Sequence, residues 1–136
     1  MPFTGNYTCN VFKEGLFTAS FNFSSGTFRL ALYTNAANLN DDTTEYTTTG
    51  EASGGNYVAG GQVLTPTVAE ENGVAYLTFA NVSWTGAITA RGALIYKTGA
   101  NGAVCVLDFG SDKTSTTSFQ VQFPAATSDS AIIRLS

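Results

Sequence analysis

Four charged side chains dominate the stretch from Ile88 to Gly110 and the residues just beyond it: Arg91, Lys97, Asp108 and Asp112. Two bases and two acids on one face of a hairpin would form either an acid–base site or a ladder of ion pairs. The hairpin itself is predicted by Asn101-Gly102, which sits between two apolar, partly alternating runs. A tight I′ turn needs positive φ at both central residues, and Asn-Gly supplies it. With those residues central, positions whose numbers total 203 face each other. Leu107 then faces Tyr96, Phe109 faces Leu94 and Asp112 faces Arg91, with Lys97 diagonal to Asp108. The four charges share one face, and Leu94, Tyr96, Leu107 and Phe109 share the other. A cross-strand ladder worth a few tenths of a kcal/mol per pair, or contacts to a neighbouring subunit, explains such a face more simply than catalysis does. The four are therefore candidate interface and ion-pair residues.

Other short patterns carry less. Asp108-Phe109-Gly110 matches a kinase triplet, but a kinase also needs a Gly-rich loop, a strand lysine and a histidine-containing catalytic loop. Gly110-Ser-Asp-Lys-Thr114 lacks the spacing that brings successive amides onto a phosphate. Asp41, Asp42 and Glu45 are oxygen donors in one polar stretch, without the spacing or the glycine of a calcium loop. Glu70 and Glu71 sit in a turn, and a glycosidase would need a distant partner carboxylate across a cleft. No metal or cofactor site is expected. Trp84, the only tryptophan, is a candidate anchor, either a platform for a sugar ring or, more simply, a core or interface side chain. The sequons at Asn6, Asn22 and Asn81 read as chance in a Thr/Ser-rich chain.

Composition removes whole classes of chemistry. The chain has no histidine, which excludes Ser-His-Asp and Cys-His catalysis, His-ligated zinc and histidine pH switching. An enzyme is not expected. Net charge is −4 and no basic cluster occurs, so no nucleic-acid partner is expected. No apolar run approaches the roughly 20 residues of a membrane helix, and no secretory signal pattern opens the chain. Cys9 and Cys105 read as two buried free thiols rather than a bridge. Charged residues are only 12% of the chain, about half the usual share; short polar side chains replace them, as suits β-rich proteins and packed assemblies.

These residues need elements to hold them. At 136 residues one domain, 1–136, is expected. Cys9, Phe12, Leu16 and Ala19 recur on one helical face, which predicts a short N-terminal helix within an arm spanning 1–26, with Thr8 as N-cap. Thr27–Thr34 reads as a strand. Residues 35–61 form a long polar loop region anchored by Tyr46 and Tyr57, with a turn of helix expected near Asp41–Glu45 and an edge strand near Tyr46–Ala52. Residues 62–69 and 74–79 make a hairpin joined by Glu70-Glu71-Asn72-Gly73, with Pro66 marking an edge or bulge. Strands also follow at Val82–Thr85, Phe119–Phe123 and Ala131–Leu135. Many short strands with turn signals between them predict an all-β antiparallel β-sandwich, jelly-roll or Ig-like, with one short helix.

Several stretches together resemble small virion structural proteins of tailed bacteriophages. They are Trp84 with Ile88–Tyr96, Val106–Ser115, Phe3–Tyr7, Phe28–Thr34, Tyr57–Gly61 and Ala131–Leu135. The resemblance implies a non-enzymatic particle component, located in the virion after assembly in the host bacterial cytoplasm. A capsid cement or decoration protein is the first expectation and a tail or head–tail junction protein the second. The implied partners are the major capsid protein or other virion proteins, and copies of the chain itself in a homo-oligomer such as a trimer. From a different class, the aromatic content leaves a carbohydrate-binding β-sandwich module as the alternative.

Overall fold

Phe28, Leu30 and Leu32 alternate with Arg29, Ala31 and Tyr33, and the strand expected there forms as β2 (Phe28–Tyr33), with only Arg29 partly exposed. A strand wet on one face would keep polar residues at every second position, whereas one covered on both faces reads as a near-continuous apolar run. Its position explains its burial. It lies inside a five-stranded antiparallel sheet in the order β1 (Tyr7–Thr8), β8 (Ala103–Thr114), β7 (Thr89–Lys97), β2, β3 (Gln62–Val63). A three-stranded sheet is ordered β10 (Ile133–Leu135), β5 (Val74–Phe79), β4 (Pro66–Glu71), and a two-stranded one pairs β6 (Val82–Thr85) with β9 (Ser118–Val121). The protein is thus an all-β, sandwich-like fold with 41% strand and 6% helix. The computed structural model describes residues 3–135; the first two residues of the expected arm and the last residue of the expected 1–136 domain lie outside them.

One hydrophobic cluster joins the elements. Phe23 stacks on Phe28 with ring centroids 4.1 Å apart, and Phe79 packs at 5.4 Å from Phe123 and 6.2 Å from Phe23. This aromatic run links the large sheet to the three-stranded one. The helix α1 (Asn10–Phe17) forms where expected, but it is shorter and differently aimed. Its N-cap is Cys9 rather than Thr8, which instead pairs with Cys105 in β1. Phe12 and Gly15 are the buried positions of α1, while Leu16 is 37% exposed. Ala19 lies past the end of the helix at φ 59, so the expected helical face breaks after Phe12.

The predicted hairpin exists, but its turn and register differ. Gly102 has no positive φ; Gly99 (φ 110) and Asn101 (φ 56) do, and the Lys97 N–H closes the loop by donating to the Gly102 carbonyl at 2.7 Å. Tyr96 therefore faces Ala103, Leu94 faces Val106 and Ala93 faces Leu107. Further along, pairs whose numbers total 203 do occur, at Ala90↔Lys113 and Thr89↔Thr114, and again from Thr85↔Ser118 to Val82↔Val121. The expected register is thus the register of the base of a long ribbon. It is lost at a bulge, where Phe109–Asp112 stand opposite Arg91 alone. The ribbon bends between β6 and β7. There Ser115 Oγ donates to the Gly86 carbonyl at 2.7 Å and accepts the Ile88 N–H at 3.1 Å.

The two-residue Asn-Gly turn appears in the other hairpin. Asn72 (φ 54) and Gly73 (φ 81) connect β4 directly to β5, shortening the expected four-residue connection. Pro66 opens β4, an edge strand, as its missing N–H requires. Residues 35–61 hold no helical turn, and the expected edge strand shrinks to one bridge, Tyr33↔Glu51.

Candidate functional site

The four expected charges do not form one ladder. Arg91 Nε donates to Asp108 Oδ1 at 3.0 Å, and both side chains are largely covered, at 19% and 11% exposure. Asp108 Oδ1 also accepts the Gly110 N–H at 2.8 Å, and the Asp108 N–H donates to Asn6 Oδ1. This pair braces the bulge. Lys97 lies at the far end of β7. Its Nζ donates to the Ser20 carbonyl and sits 4.8 Å from the centre of the Phe21 ring, tying the hairpin to the loop after α1. Asp112 is exposed on the bulge and joins no salt bridge among the described residues. Both faces of this ribbon are covered as far as Val106, so no polar side selects its register.

Trp84 is 2% exposed and packs 5.6 Å from Tyr57. It is a core side chain and presents no platform to a sugar. Asp42 accepts from Asn10 Nδ2 at 3.0 Å, and among the described residues no three cysteine or carboxylate groups converge to hold a metal. Glu70 caps the Asn72-Gly73 turn through the Gly73 N–H, and Glu71 accepts the Ser128 N–H at 3.0 Å. That bond holds the Glu71 carboxyl below its ordinary value. Both thiols are free and buried. Burial, reinforced by Asp41, pushes Cys9 up to about 12, and burial also raises Cys105. Both thiols are therefore poor nucleophiles.

The most developed polar site is one that spacing alone does not single out. Glu51 Oε1 accepts the Tyr46 hydroxyl at 2.6 Å, and Oε2 accepts the Tyr57 hydroxyl at 2.6 Å and the Gly60 N–H at 2.7 Å. Tyr57 in turn accepts the Leu32 N–H at 2.9 Å. Tyr33 donates to the Thr47 carbonyl and Tyr96 to the Gly60 carbonyl, each at 2.6 Å, and Tyr46 stacks on Tyr96 at 4.9 Å. Desolvation first, with Glu51 adding to it, raises the phenols of Tyr33, Tyr46 and Tyr57; for Tyr96 desolvation also leads. The network fastens the 35–61 segment onto the large sheet. The sequence did hold one clue: Glu51 is the acid lying between the two tyrosines expected to anchor the segment.

Apolar surface gathers elsewhere. A groove of about 120 Å³ lies between α1 and the three-stranded sheet, lined by Phe12, Leu16, Phe23, Val68, Leu77 and Leu135 among others. Val68 faces Leu77, which faces Ile133, so one row of side chains crosses the sheet toward the helix. Leu16, Val68 and Leu135 at the groove are 37%, 57% and 55% exposed, and Phe17, next to Leu16, is 94% exposed. Leu16, Val68 and Leu135 thus leave apolar surface exposed around the groove. No family model, curated protein or solved structure matches this chain.

Proposed function

We propose that this chain is a non-enzymatic structural subunit of a bacteriophage virion, a capsid cement or decoration protein that docks on the head shell and stabilises it. The observation that carries the reading is the apolar groove of α1 and the three-stranded sheet, lined by the exposed Leu16, Val68 and Leu135, with the exposed Phe17 next to Leu16 in the chain. Leaving four such side chains in water costs free energy that association with a second protein recovers. The resemblance of Ile88–Tyr96 and Val106–Ser115 to small phage virion proteins supports a virion protein as that second protein, and for a cement protein this is the major capsid protein. The low charge content suits a subunit packed among others.

Quantitative mass spectrometry of purified particles tests the reading. Copy numbers comparable to the major capsid protein are expected, and particles stripped of the chain should lose head thermal stability. A few copies per particle would overturn the cement role and favour the tail or the head–tail junction. Val68→Asp, at a side chain that lines the groove and is 57% exposed, should leave the free protein folded and should abolish rebinding to stripped heads. Undiminished rebinding would exclude the groove as the docking face.

A further inference from the structure

The hydrogen bonds around β6 leave one side of β9 open. The Thr85 N–H donates to Asn56 Oδ1 at 2.8 Å, the Thr85 carbonyl accepts the Asn56 N–H at 2.9 Å, and Gln62 Nε2 donates to the Ser83 carbonyl. Ser83 and Thr85 therefore direct their main-chain groups away from β9. Consecutive residues of an antiparallel strand bond to opposite sides, so Val82 and Trp84 are the residues that bond across to Val121 and Phe119. Ser118, Gln120 and Gln122 must then turn their main-chain N–H and C=O groups outward. Among the described residues, Gln120 and Gln122 find no main-chain partner outside the β6–β9 ladder.

Other edges carry protection. β4 opens with Pro66 and ends in Glu70-Glu71, β10 contains Arg134, and β1 and β3 are two residues long. Proline, charge and shortness are the ordinary ways of blunting an edge. β9, Ser-Phe-Gln-Val, has neither proline nor charge. It also borders a concave space of about 450 Å³ formed with the end of β8. Phe109 and Phe119, 6.3 Å apart, supply its apolar part together with Val121, and Lys113 is the one charged residue among those lining it.

We propose that β9 receives an extended segment of a partner polypeptide as an added strand. Main-chain groups of the segment pair with Gln120 and Gln122, an apolar side chain covers Phe109 and Phe119, and an acidic side chain meets Lys113. An unpaired main-chain row selects an extended backbone, because a helix has no free groups to offer it, and the pockets beside the row select alternate side chains. Strand addition at β9 needs only the isolated chain, whether or not the protein belongs to a virion.

Selection of a displayed random-peptide library on the immobilised full-length chain tests it. Enriched peptides should alternate apolar and polar residues and carry Asp or Glu. They should bind Gln120→Ala undiminished, because only the main chain of that residue is used. They should bind Gln120→Pro, which lacks the outward N–H, at least about tenfold more weakly. Lys113→Glu should shift the selected charge from acidic to basic. Unchanged Trp84 fluorescence in Gln120→Pro would show that the β6–β9 ladder persists. If that variant fails to fold, hydrogen exchange on the native chain decides: a selected peptide should slow the amides of Gln120 and Gln122. No enrichment, equal binding to a folded Gln120→Pro, or slowing elsewhere would overturn the proposal. The particle copy number is independent of all three, so the two readings fail separately.

Discussion

At the scale of single residues, Glu51 has the largest task. Its carboxylate accepts three hydrogen bonds, from Tyr46, Tyr57 and Gly60, and it is partly buried. Hydrogen bonds to a charged acceptor are worth more than neutral ones, and their donors pay desolvation when left alone. Glu51→Ala should cost about 2–3 kcal/mol, read as a lower urea midpoint. Glu51→Gln keeps one carbonyl oxygen for Tyr57 and Gly60 and should cost about 1 kcal/mol. Equal losses for the two substitutions would mean that packing, rather than the carboxylate, holds the segment. Arg91 pairs with Asp108, where the simple hairpin register sets Arg91 opposite Asp112 and Lys97 diagonal to Asp108. The bulge sets Phe109–Asp112 opposite Arg91 and leaves Asp112 exposed and outside the pair.

Among the elements, α1 shows both what periodicity reveals and where it stops. The apolar spacing located the helix, yet the chain leaves it at Ala19, whose φ of 59 is left-handed. The Ser20 N–H donates back to the Gly15 carbonyl at 2.9 Å, which satisfies a terminal carbonyl in the manner of a Schellman motif. Alanine is strained in that conformation and glycine is not. Ala19→Gly should therefore stabilise the protein by about 0.5–1 kcal/mol, with a raised urea midpoint and an unchanged slope. A loss of stability would show that the greater freedom of glycine in the unfolded chain outweighs the relieved strain. The two Asn-Gly dipeptides differ in the same way. Both sit at hairpin ends, but only Asn72-Gly73 makes the two-residue turn, on a β4–β5 tip whose residues are mostly exposed. At Asn101-Gly102 the following residues, Ala103 to Val106, are all buried, and their packing selects a wider loop over the locally preferred turn.

For the whole molecule, the tyrosines couple the loop region to the large sheet through proton binding. Tyr33, Tyr46, Tyr57 and Tyr96 all hold their protons more tightly in the folded state than a free phenol does, chiefly through burial. Their contribution to stability is complete below the ordinary phenol pKa of about 10 and declines as pH rises above it, because the unfolded chain then releases protons that the folded chain keeps. Ultraviolet titration should show these phenols resisting ionisation beyond the ordinary range and then ionising together with the loss of far-ultraviolet β signal. Early ionisation with the β signal intact would contradict the burial of the network.

The sequence by itself determined the β class, the short helix, most strand positions and the exclusion of histidine chemistry. These rest on local terms: periodicity, turn residues and residue types. It also marked Tyr46 and Tyr57 as anchors, and the terminal strand through Ile133 and Leu135. Only the tertiary structure decided the register of the β7–β8 ribbon, because strands covered on both faces carry no alternating pattern to pin it. The same holds for the site residues. Glu51 gains its three donors, Trp84 its burial against Tyr57, and β9 its open edge from segments that meet only when the chain is folded. Long-range packing brought those groups together, and spacing along the chain does not encode it.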